Sequence, residues 1–284
     1  MIPQIGIMQG RLSPSQDGRF QFFPKNWQAE FSQAQQLGFD SIEWIYDEDN
    51  WSVRWKFNPI LDREGREKIR KLSSWYNVGV HSICADYFIN GGFSRFGDDR
   101  VSMLIALIFV ARALKVKIIV LPFLEKAAIK NRKQETEIIK NFGSVLELCR
   151  LYSVKLALET ELDGKNLKRF IKKFNSPHVG VCYDLGNTVS YGHNSPWDIR
   201  LLGDLIFEVH IKDRKIGSDK SVNLGEGDVD FNGCFKALKN IGFNGPMILQ
   251  ANRSDVYYLD DAKRQLDFVK TKWRNLTDDQ LQSS

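Results

Sequence analysis

The chain has few of the features that indicate an exported, membrane-bound or disulfide-stabilised protein. Its 284 residues include four cysteines without a CxxC pair: Cys84, Cys149, Cys182 and Cys234. Such isolated cysteines favour buried, reduced thiols. The first residues, MIPQIGIMQGRL, lack a basic segment followed by an apolar one, so we expect no secretory signal. The longest apolar run, 103–111, is shorter than the roughly 20 residues that span a bilayer. We therefore expect a cytoplasmic protein without membrane contact.

Nothing in the composition divides the chain into parts. No tract rich in Pro, Ser or Gly and no block of like charges interrupts it, so we expect a single domain over residues 1–284. The formal net charge is +5, from 40 basic and 35 acidic residues that are mixed along the sequence. This small excess is typical of a solvated surface rather than a nucleic-acid surface. It remains compatible with small anionic ligands such as sugar phosphates.

Short apolar runs rich in β-branched residues recur along the chain. Each is too short and too continuous for an amphipathic helix and is typical of a strand buried on both faces. The predicted strands cover 5–9, 41–45, 78–84, 117–122, 154–159, 179–184, 206–211 and 246–251. Helical patterns lie between and after them, over 26–39, 62–76, 98–116, 132–152, 164–174, 195–204, 231–243 and 256–273.

This alternation predicts an α/β protein. Eight parallel strands with right-handed crossovers close most simply into a (β/α)8 TIM barrel. A doubly wound open sheet is the alternative, but it usually needs a Gly-rich first turn. The stretch MQGRLS at 8–13 does not match GxGxxG.

Because barrel active sites form at the carboxyl ends of the strands, the residues that end the predicted strands are informative. Polar or charged groups are found there: Gln9, Glu43, His81, Glu159, Asp184, His210 and Gln250. Glu159, Asp184 and His210 end three consecutive strands, so we expect them to converge on a divalent cation. Without a cation, two carboxylates would be held close together at a cost. Taken singly, an Asp there is often a helix cap and a His an ordinary core or loop residue.

Several longer stretches resemble the xylose isomerase-like TIM barrels, a family of sugar phosphate isomerases and epimerases with endonuclease IV as a distant relative. They are GIMQGRLSP (6–14), GFDSIEWIYD (38–47), SICADYF (82–88), ALETELDG (157–164), YDLGN (183–187), VHIKDR (209–214) and a long stretch at 224–253. The resemblance covers nearly the whole chain. It implies a metal-dependent isomerase or epimerase whose partner is a small-molecule sugar or sugar phosphate, and relatives that often form homodimers or homotetramers. An endonuclease is disfavoured because its metal cluster needs many histidines and the chain has four.

The resemblance also implies a set of metal ligands. In the sugar epimerases of the family, residues ending the last four strands hold a divalent ion, commonly manganese. The matching residues here are Glu159, Asp184, His210 and Gln250. We expect Mn²⁺, with Mg²⁺, Co²⁺ or Zn²⁺ as alternatives. Gln250 departs from the Glu of the epimerases, and because its amide carries no charge, metal affinity should fall.

The same departure bears on the reaction. In the epimerases, one Glu removes a proton and a second Glu returns it on the opposite face, while the metal stabilises an enediolate. Gln250 cannot act as that second group. Glu159 alone suits an aldose–ketose isomerisation, unless His81 or Glu43 supplies the second proton. A dehydratase of the inositol-catabolism type and a non-catalytic sugar-binding barrel are further alternatives.

Other polar residues near the strand ends are candidates for substrate binding: Gln9, Arg11, Asn187, Arg214, Glu226 and Arg253. The arginines could hold a phosphate or carboxylate, and Asn187 a sugar hydroxyl. The alternatives are solvated loop charges, a helix cap at Asn187 and a turn around Glu226. In the loop after the second strand, Trp51, Trp55 and Phe57 could cover a bound sugar, form a dimer contact or pack against the barrel.

Overall fold

We describe a computed structural model, which defines residues 2–15, 21–47, 58–90 and 98–276. In these ranges the strands are β1 (Ile5–Met8), β2 (Ser41–Ile45), β3 (Gly79–Cys84), β4 (Ile118–Phe123), β5 (Lys155–Thr160), β6 (Val179–Asp184), β7 (Ile206–Ile211), β8 (Asp213–Arg214), β9 (Ser221–Val222) and β10 (Met247–Leu249). Strands β1 to β7 pair in parallel with their neighbours in sequence, and β10 joins β7 to β1, which closes the barrel. The short β8 and β9 form a separate antiparallel hairpin.

Helices follow the barrel strands. They are α1 (Trp27–Leu37), α2 (Arg63–Tyr76), α3 (Asp98–Leu114), α4 (Arg132–Tyr152), α5 (Gly164–Lys172), α6 (Leu185–Ser190), α7 (Ser195–Leu202), α8 (Phe231–Asn240) and α9 (Tyr258–Arg274). Short 3₁₀ turns occupy Pro59–Leu61, Asp86–Asn90, Glu125–Ala127 and Gly203–Leu205. The closed parallel barrel confirms the predicted fold class and excludes the open sheet.

The barrel strands are apolar on both faces because both faces are buried. Every residue of β4 is buried, for example. Outward-facing side chains pack against the helices, and a smaller cluster fills the interior: Met8, Ile45, Cys84, Ile118, Val120, Ala157, Cys182 and Ile248. At Gly180 the packing leaves no room for a side chain, since a Cβ atom would lie 2.5 Å from the Leu205 carbonyl oxygen and the Phe207 ring.

Most predicted boundaries hold to within a few residues, and the differences have local causes. Helix α6 was not predicted, because its six residues are too few to show a helical period. Strand β10 ends at Leu249, so Gln250 lies one residue beyond it, although its backbone N–H still bonds to the Ile211 carbonyl at 2.9 Å. All four cysteines are buried and unpaired, as expected. Within the described ranges, no helix has both the length and the apolar character needed to cross a bilayer.

A buried carboxylate fastens α4 to α5. Glu135 accepts hydrogen bonds from Arg169 Nη1 and Nη2 at 2.9 and 2.6 Å, and from Lys173 Nζ at 2.7 Å. Its side chain is 4% exposed, whereas the two cations are 36% and 39% exposed. The bonds from Arg169 and then Lys173 lower the pKa of Glu135 to about 2 despite its burial.

Replacing this carboxylate should destabilise the protein in a pH-dependent way. We expect Glu135→Gln to lower the free energy of unfolding at pH 7 by about 1 kcal/mol, because solvent screens the half-exposed cations. The pKa of Glu135 is near 4.5 in the unfolded chain and near 2 in the folded protein. The difference in free energy of unfolding between the wild type and Glu135→Gln should therefore be complete above pH 5 and vanish as the pH falls towards 2. Urea unfolding at several pH values measures it. Glu147→Gln, which removes the exposed pair with Arg150, is the control. A difference that does not change with pH would contradict this account.

Candidate metal centre

Three side chains from consecutive strands meet at the carboxyl end of the barrel. Glu159 lies in β5, Asp184 ends β6, and His210 in β7 pairs in register with Asp184. Nδ1 of His210 lies 3.8 Å from Glu159 Oε2 and 3.9 Å from Asp184 Oδ2. One donor atom of each residue lies within 4.8 Å of the other two. The structure thus brings together the three residues that the strand-end pattern selected.

The imidazole of His210 provides the test of whether this group suits a metal ion. The ring is fully buried, and Nδ1 has no hydrogen-bond partner among the residues that the structure describes. A buried ring nitrogen without a partner is costly, and it is the atom that faces the two carboxylates. Two metal–ligand bonds of about 2.1 Å span at most roughly 4.2 Å, so one ion can contact all three residues. The imidazole and carboxylate donors therefore fit a divalent ion.

Two further carboxyl groups contact the opposite nitrogen of the ring. Nε2 of His210 lies 3.2 Å from Glu208 Oε1 and 3.3 Å from Glu43 Oε2. Glu43 also accepts a hydrogen bond from Ser82 Oγ at 3.2 Å, and both carboxyl groups are completely buried. A carboxylate that accepts the Nε2 proton fixes the tautomer in which Nδ1 is free to bind a metal. The sequence contained a signal for Glu208 that was missed: it lies two residues before His210 and so faces the same side of β7.

The charges in the cluster depend on one another. Burial raises the pKa of Glu208 to about 8 and that of Glu159 to about 7. Burial by itself lowers the pKa of His210, but Cys182 and Glu43 raise it well above its ordinary value. Burial likewise raises the pKa of Asp184, and Lys212 and His210 more than offset it, so the net shift is downward. Without a metal, the protonated imidazole balances the carboxylates, and a divalent ion at Nδ1 would replace its proton.

Asn187 links the two carboxylate ligands. Its Nδ2 donates to Glu159 Oε1 at 2.7 Å, and its backbone N–H donates to Asp184 Oδ1 at 2.8 Å. Asp184, rather than Asn187, is therefore the residue that caps α6. Lys212 Nζ lies 2.8 Å from Asp184 Oδ2 and donates to Asn187 Oδ1 at 3.3 Å. An ion in this site would share Asp184 with a lysine, which reduces the negative charge available to it.

Gln250 occupies the fourth position. It follows β10, in which Ile248 pairs with His210 and faces the barrel interior. Because side chains alternate along a strand, Gln250 faces the same side as Ile248, and it is 3% exposed. Its neutral amide and the ion pair of Lys212 with Asp184 both make the site less negative than a set with three carboxylates and an imidazole.

The structure corrects the expected position of His81. Strand β3 continues to Cys84, so His81 does not end it. Strand β4 relates the two residues: Ser82, the neighbour of His81, pairs with Ile118, and Glu159 pairs with Pro122. His81 therefore lies about five residues, or roughly 16 Å, below Glu159 along the strands. His81 lines a cleft of about 490 Å³ at the amino-terminal end of the barrel. It therefore cannot exchange a proton with a substrate at the metal centre.

Glu43 also differs from the expectation. It lies two residues before the end of β2, where the pairing with β3 shifts register between Ile42 and Trp44. Its carboxylate contacts the face of the imidazole that points away from Glu159 and Asp184. These contacts suit an orienting role for Glu43 rather than the predicted proton transfer to the substrate.

The predicted substrate-binding residues fall into two groups. Gln9 and Arg11 are buried beyond β1, and Arg214 is half-buried in the β8–β9 hairpin. Arg253, by contrast, donates through Nη2 to backbone carbonyls of the loop after β1, and it packs over Tyr258. Glu226 is exposed and accepts a hydrogen bond from Asn223 at 3.0 Å, as expected for a turn. The tryptophans and phenylalanine of the loop after β2 lie outside the described residues: Trp51, Trp55 and Phe57.

A carboxyl group that sequence reasoning missed lies nearby. Asp86 begins the turn after β3 and accepts a hydrogen bond from Gln21 Nε2 at 2.5 Å. Burial raises its pKa to about 6, and its charge acts on both Glu159 and Arg11. Its signal in the sequence was its position two residues after the apolar run at 78–84.

With this geometry established, the chain can be compared with known proteins. Residues 31–272 match the family model of the xylose isomerase-like TIM barrel. The chain belongs to this family. The identification from sequence motifs is thereby confirmed.

Curated relatives include the L-ribulose-5-phosphate 3-epimerase UlaE of Escherichia coli O1:K1 / APEC, which is 24% identical over 242 residues, or 79% of this chain and 81% of the relative. Similar solved structures include the IOLI protein with a binding zinc atom, with a TM-score of 0.74, 18% identity and coverage of 95% of this chain and 99% of that one. D-psicose 3-epimerase with D-tagatose from Clostridium cellulolyticum H10 has a TM-score of 0.71, 15% identity and coverage of 95% and 99%. These structural likenesses show the shared fold.

The two buried carboxyl groups behind His210 should affect metal affinity without touching the ion. We expect Glu43→Gln and Glu208→Gln each to weaken binding of Mn²⁺ about tenfold or more, because a neutral amide replaces the carboxyl group that accepts from Nε2–H and holds the ring less firmly. Calorimetric titration measures the dissociation constant. Glu161→Gln is the matched control, since Glu161 bonds to the Glu125 N–H rather than to His210. Equal weakening in all three variants would show that charge alone is responsible and would overturn the orienting role.

Proposed function

We propose that the protein is a divalent-metal-dependent isomerase or epimerase that acts on a sugar or sugar phosphate through an enediolate-type intermediate. The observation that carries the proposal is the group of Glu159, Asp184 and His210, in which an imidazole nitrogen that no described residue hydrogen-bonds faces two carboxylates. Relatives named as epimerases of L-ribulose 5-phosphate support this class of substrate. Carboxylate and imidazole donors suit Mn²⁺, and they would also accept the zinc named for the IOLI structure.

Each residue of the centre has a part in the proposed reaction. A bound divalent ion would polarise the carbonyl oxygen of the sugar and stabilise negative charge on it. Glu159 removes the proton from the adjacent carbon, since its pKa of about 7, raised by burial, suits a base at neutral pH. Asn187 holds Glu159 Oε1 and thereby aims Oε2 at the site. Asp184 and His210 are further ligands, and Lys212 neutralises part of the charge of Asp184.

None of the three residues first considered as the second acid favours a two-base reaction. Gln250 cannot exchange a proton, Glu43 lies behind the imidazole, and His81 lies at the opposite end of the barrel. If Glu159 removes the proton from C2 and returns it to C1 on the same face, and a proton moves from O2 to O1, an aldose becomes a ketose. An epimerisation like that named for the relatives would need a second acid on the other face. Neither the dehydratase nor the non-catalytic barrel is favoured by the comparisons.

The proposal is tested by metal binding and proton exchange. Calorimetry should show one Mn²⁺ bound by the wild type, no binding by Asp184→Ala or His210→Ala, and unchanged binding by Asp267→Ala, which alters an exposed carboxylate. Manganese-loaded protein with ketoses and their 5-phosphates in D₂O should introduce deuterium next to the carbonyl, detected by NMR. Glu159→Gln should slow this exchange at least about a hundredfold. Absence of Mn²⁺ binding in the wild type, or exchange that survives Glu159→Gln, would refute the proposal.

The neutral fourth position makes a second prediction. Gln250→Glu should tighten Mn²⁺ binding at least about tenfold, because it adds a negative charge beside the ion in a buried site. The dissociation constant is again measured by calorimetry. Gln36→Glu adds the same charge on the exposed face of α1 and should leave the affinity unchanged. If Gln250→Glu also leaves it unchanged, Gln250 does not lie at the metal.

A further inference from the structure

The loop that follows β1 is held rigidly from two sides. Glu30 accepts hydrogen bonds from the Gly10 N–H at 3.0 Å and from Ser13 Oγ at 2.9 Å. Arg253 Nη2 donates to the Gly10 carbonyl at 3.1 Å and to the Ser13 carbonyl at 2.8 Å. Gly10 has a φ of +87°, a conformation that favours glycine. The position of Arg11 between them is therefore fixed before any ligand arrives.

Arg11 itself is buried without a partner. It is 8% exposed, and its guanidinium has neither a hydrogen-bond nor an ion-pair partner within residues 2–15, 21–47, 58–90 and 98–276. Burial, and then the charge of Arg253, lower its pKa to about 9, so it remains cationic at neutral pH. The adjacent Gln9 is 1% exposed; its Oε1 accepts the Ile45 N–H at 3.1 Å, but in the same ranges Nε2 has no acceptor. Burying hydrogen-bond donors without acceptors costs free energy, and both the Arg11 guanidinium and Gln9 Nε2 are such donors.

The order of the strands places these donors on one side of the barrel mouth. Strand β10, which leads to Gln250, lies between β1 and β7. Arg11 follows β1 and Arg214 follows β7, so the two arginines lie on either side of Gln250. Arg214 is half-buried, and its Nε also lacks an acceptor among the described residues. Glu159 and Asp184 follow β5 and β6 on the other side. Arginines therefore follow the strands on either side of the neutral Gln250, and the charges of Asp184 and Asp86 reach Arg11 from the rest of the mouth.

We propose that the substrate carries an anionic group, a carboxylate or a phosphate, that binds beside Gln250 and is held by Arg11, with Gln9 as a second donor and Arg214 at its outer edge. Guanidinium and amide groups are the usual donors for such oxyanions. A glutamate at position 250 would repel the same group, whereas the amide does not. The inference rests on the proposed function for its orientation, since the metal centre receives the hydroxyketone end of the sugar.

The test uses three hydroxyketones that share the metal-binding end and differ in charge: dihydroxyacetone, hydroxypyruvate and dihydroxyacetone phosphate. Calorimetry gives the affinity of each for manganese-loaded protein, and titration of metal-free protein with hydroxypyruvate and with inorganic phosphate reports the anion site alone. The variants are Arg11→Met, Arg11→Lys and Arg214→Met. Arg150→Met, which changes an exposed arginine of α4, is the matched control.

We expect at least one anionic probe to bind the wild type about tenfold or more tightly than dihydroxyacetone. Arg11→Met should abolish this preference and leave the affinity for dihydroxyacetone within about threefold, while Arg11→Lys retains part of it. The stronger of the two anions identifies a carboxylate or a phosphate substrate. Thermal unfolding of Arg11→Met should occur at an unchanged or higher temperature, since the variant removes an unpaired buried cation. If Arg11 only stabilised the fold, Arg11→Met would lower the unfolding temperature.

Equal affinities of the wild type for all three probes, absence of binding by both anions, or a preference that survives both Arg11→Met and Arg214→Met would overturn the proposal. Failure of the proposed function has a different signature. Metal-free protein would then still bind hydroxypyruvate or phosphate through Arg11, whereas Mn²⁺ binding or deuterium exchange would be absent.

Discussion

One buried imidazole, that of His210, contacts the carboxyl groups of the candidate metal centre through Nδ1 and those deeper in the barrel through Nε2. Carboxyl groups from four strands surround His210, two near Nδ1 and two near Nε2. Asp184 pairs in register with His210, and the alternation of side chains along the strands turns the carboxyl groups inward. So many carboxyl groups in one apolar interior are tolerated because burial raises the pKa of Glu159 and Glu208 and because cations lie among them. The fold and the chemistry of the site therefore depend on the same contact.

Much of this arrangement could be predicted from the sequence because it follows from periodicity. Continuous β-branched runs separated by helical patterns specify a parallel barrel, and the barrel specifies which ends of its strands converge. Glu159, Asp184 and His210 each lie at or within two residues of the end of a strand, so their convergence required no knowledge of side-chain geometry. The family motifs added the fourth position and thereby revealed the substitution at Gln250.

What could not be predicted depends on the depth of residues within the barrel. The ends of β2 and β3 were predicted correctly, but Glu43 lies two residues and His81 three residues before them, so treating both as strand-end residues placed their side chains too close to the mouth. The position of Glu208 places it on the same side of β7 as His210, but the sequence does not show that its carboxyl group contacts the ring. The pairing of Lys212 with Asp184 is a three-dimensional contact with no counterpart in a sequence pattern. The same holds for Arg11, whose Nε finds no acceptor in the described part of the chain.

The hydrogen bonds of Arg253 to the loop after β1 also bear on how the protein folds. They join residues separated by 243 and 240 positions, nearly the full length of the chain. Contacts of this range form only after the intervening strands have been ordered, since closing so long a loop is entropically costly. The loop that carries Arg11 therefore gains its hydrogen bonds from Arg253 when β10 pairs with β1. Until β10 pairs with β1 and β7, the ring of strands stays open and Arg253 cannot support the loop after β1, so ligand recognition at this edge requires a closed barrel.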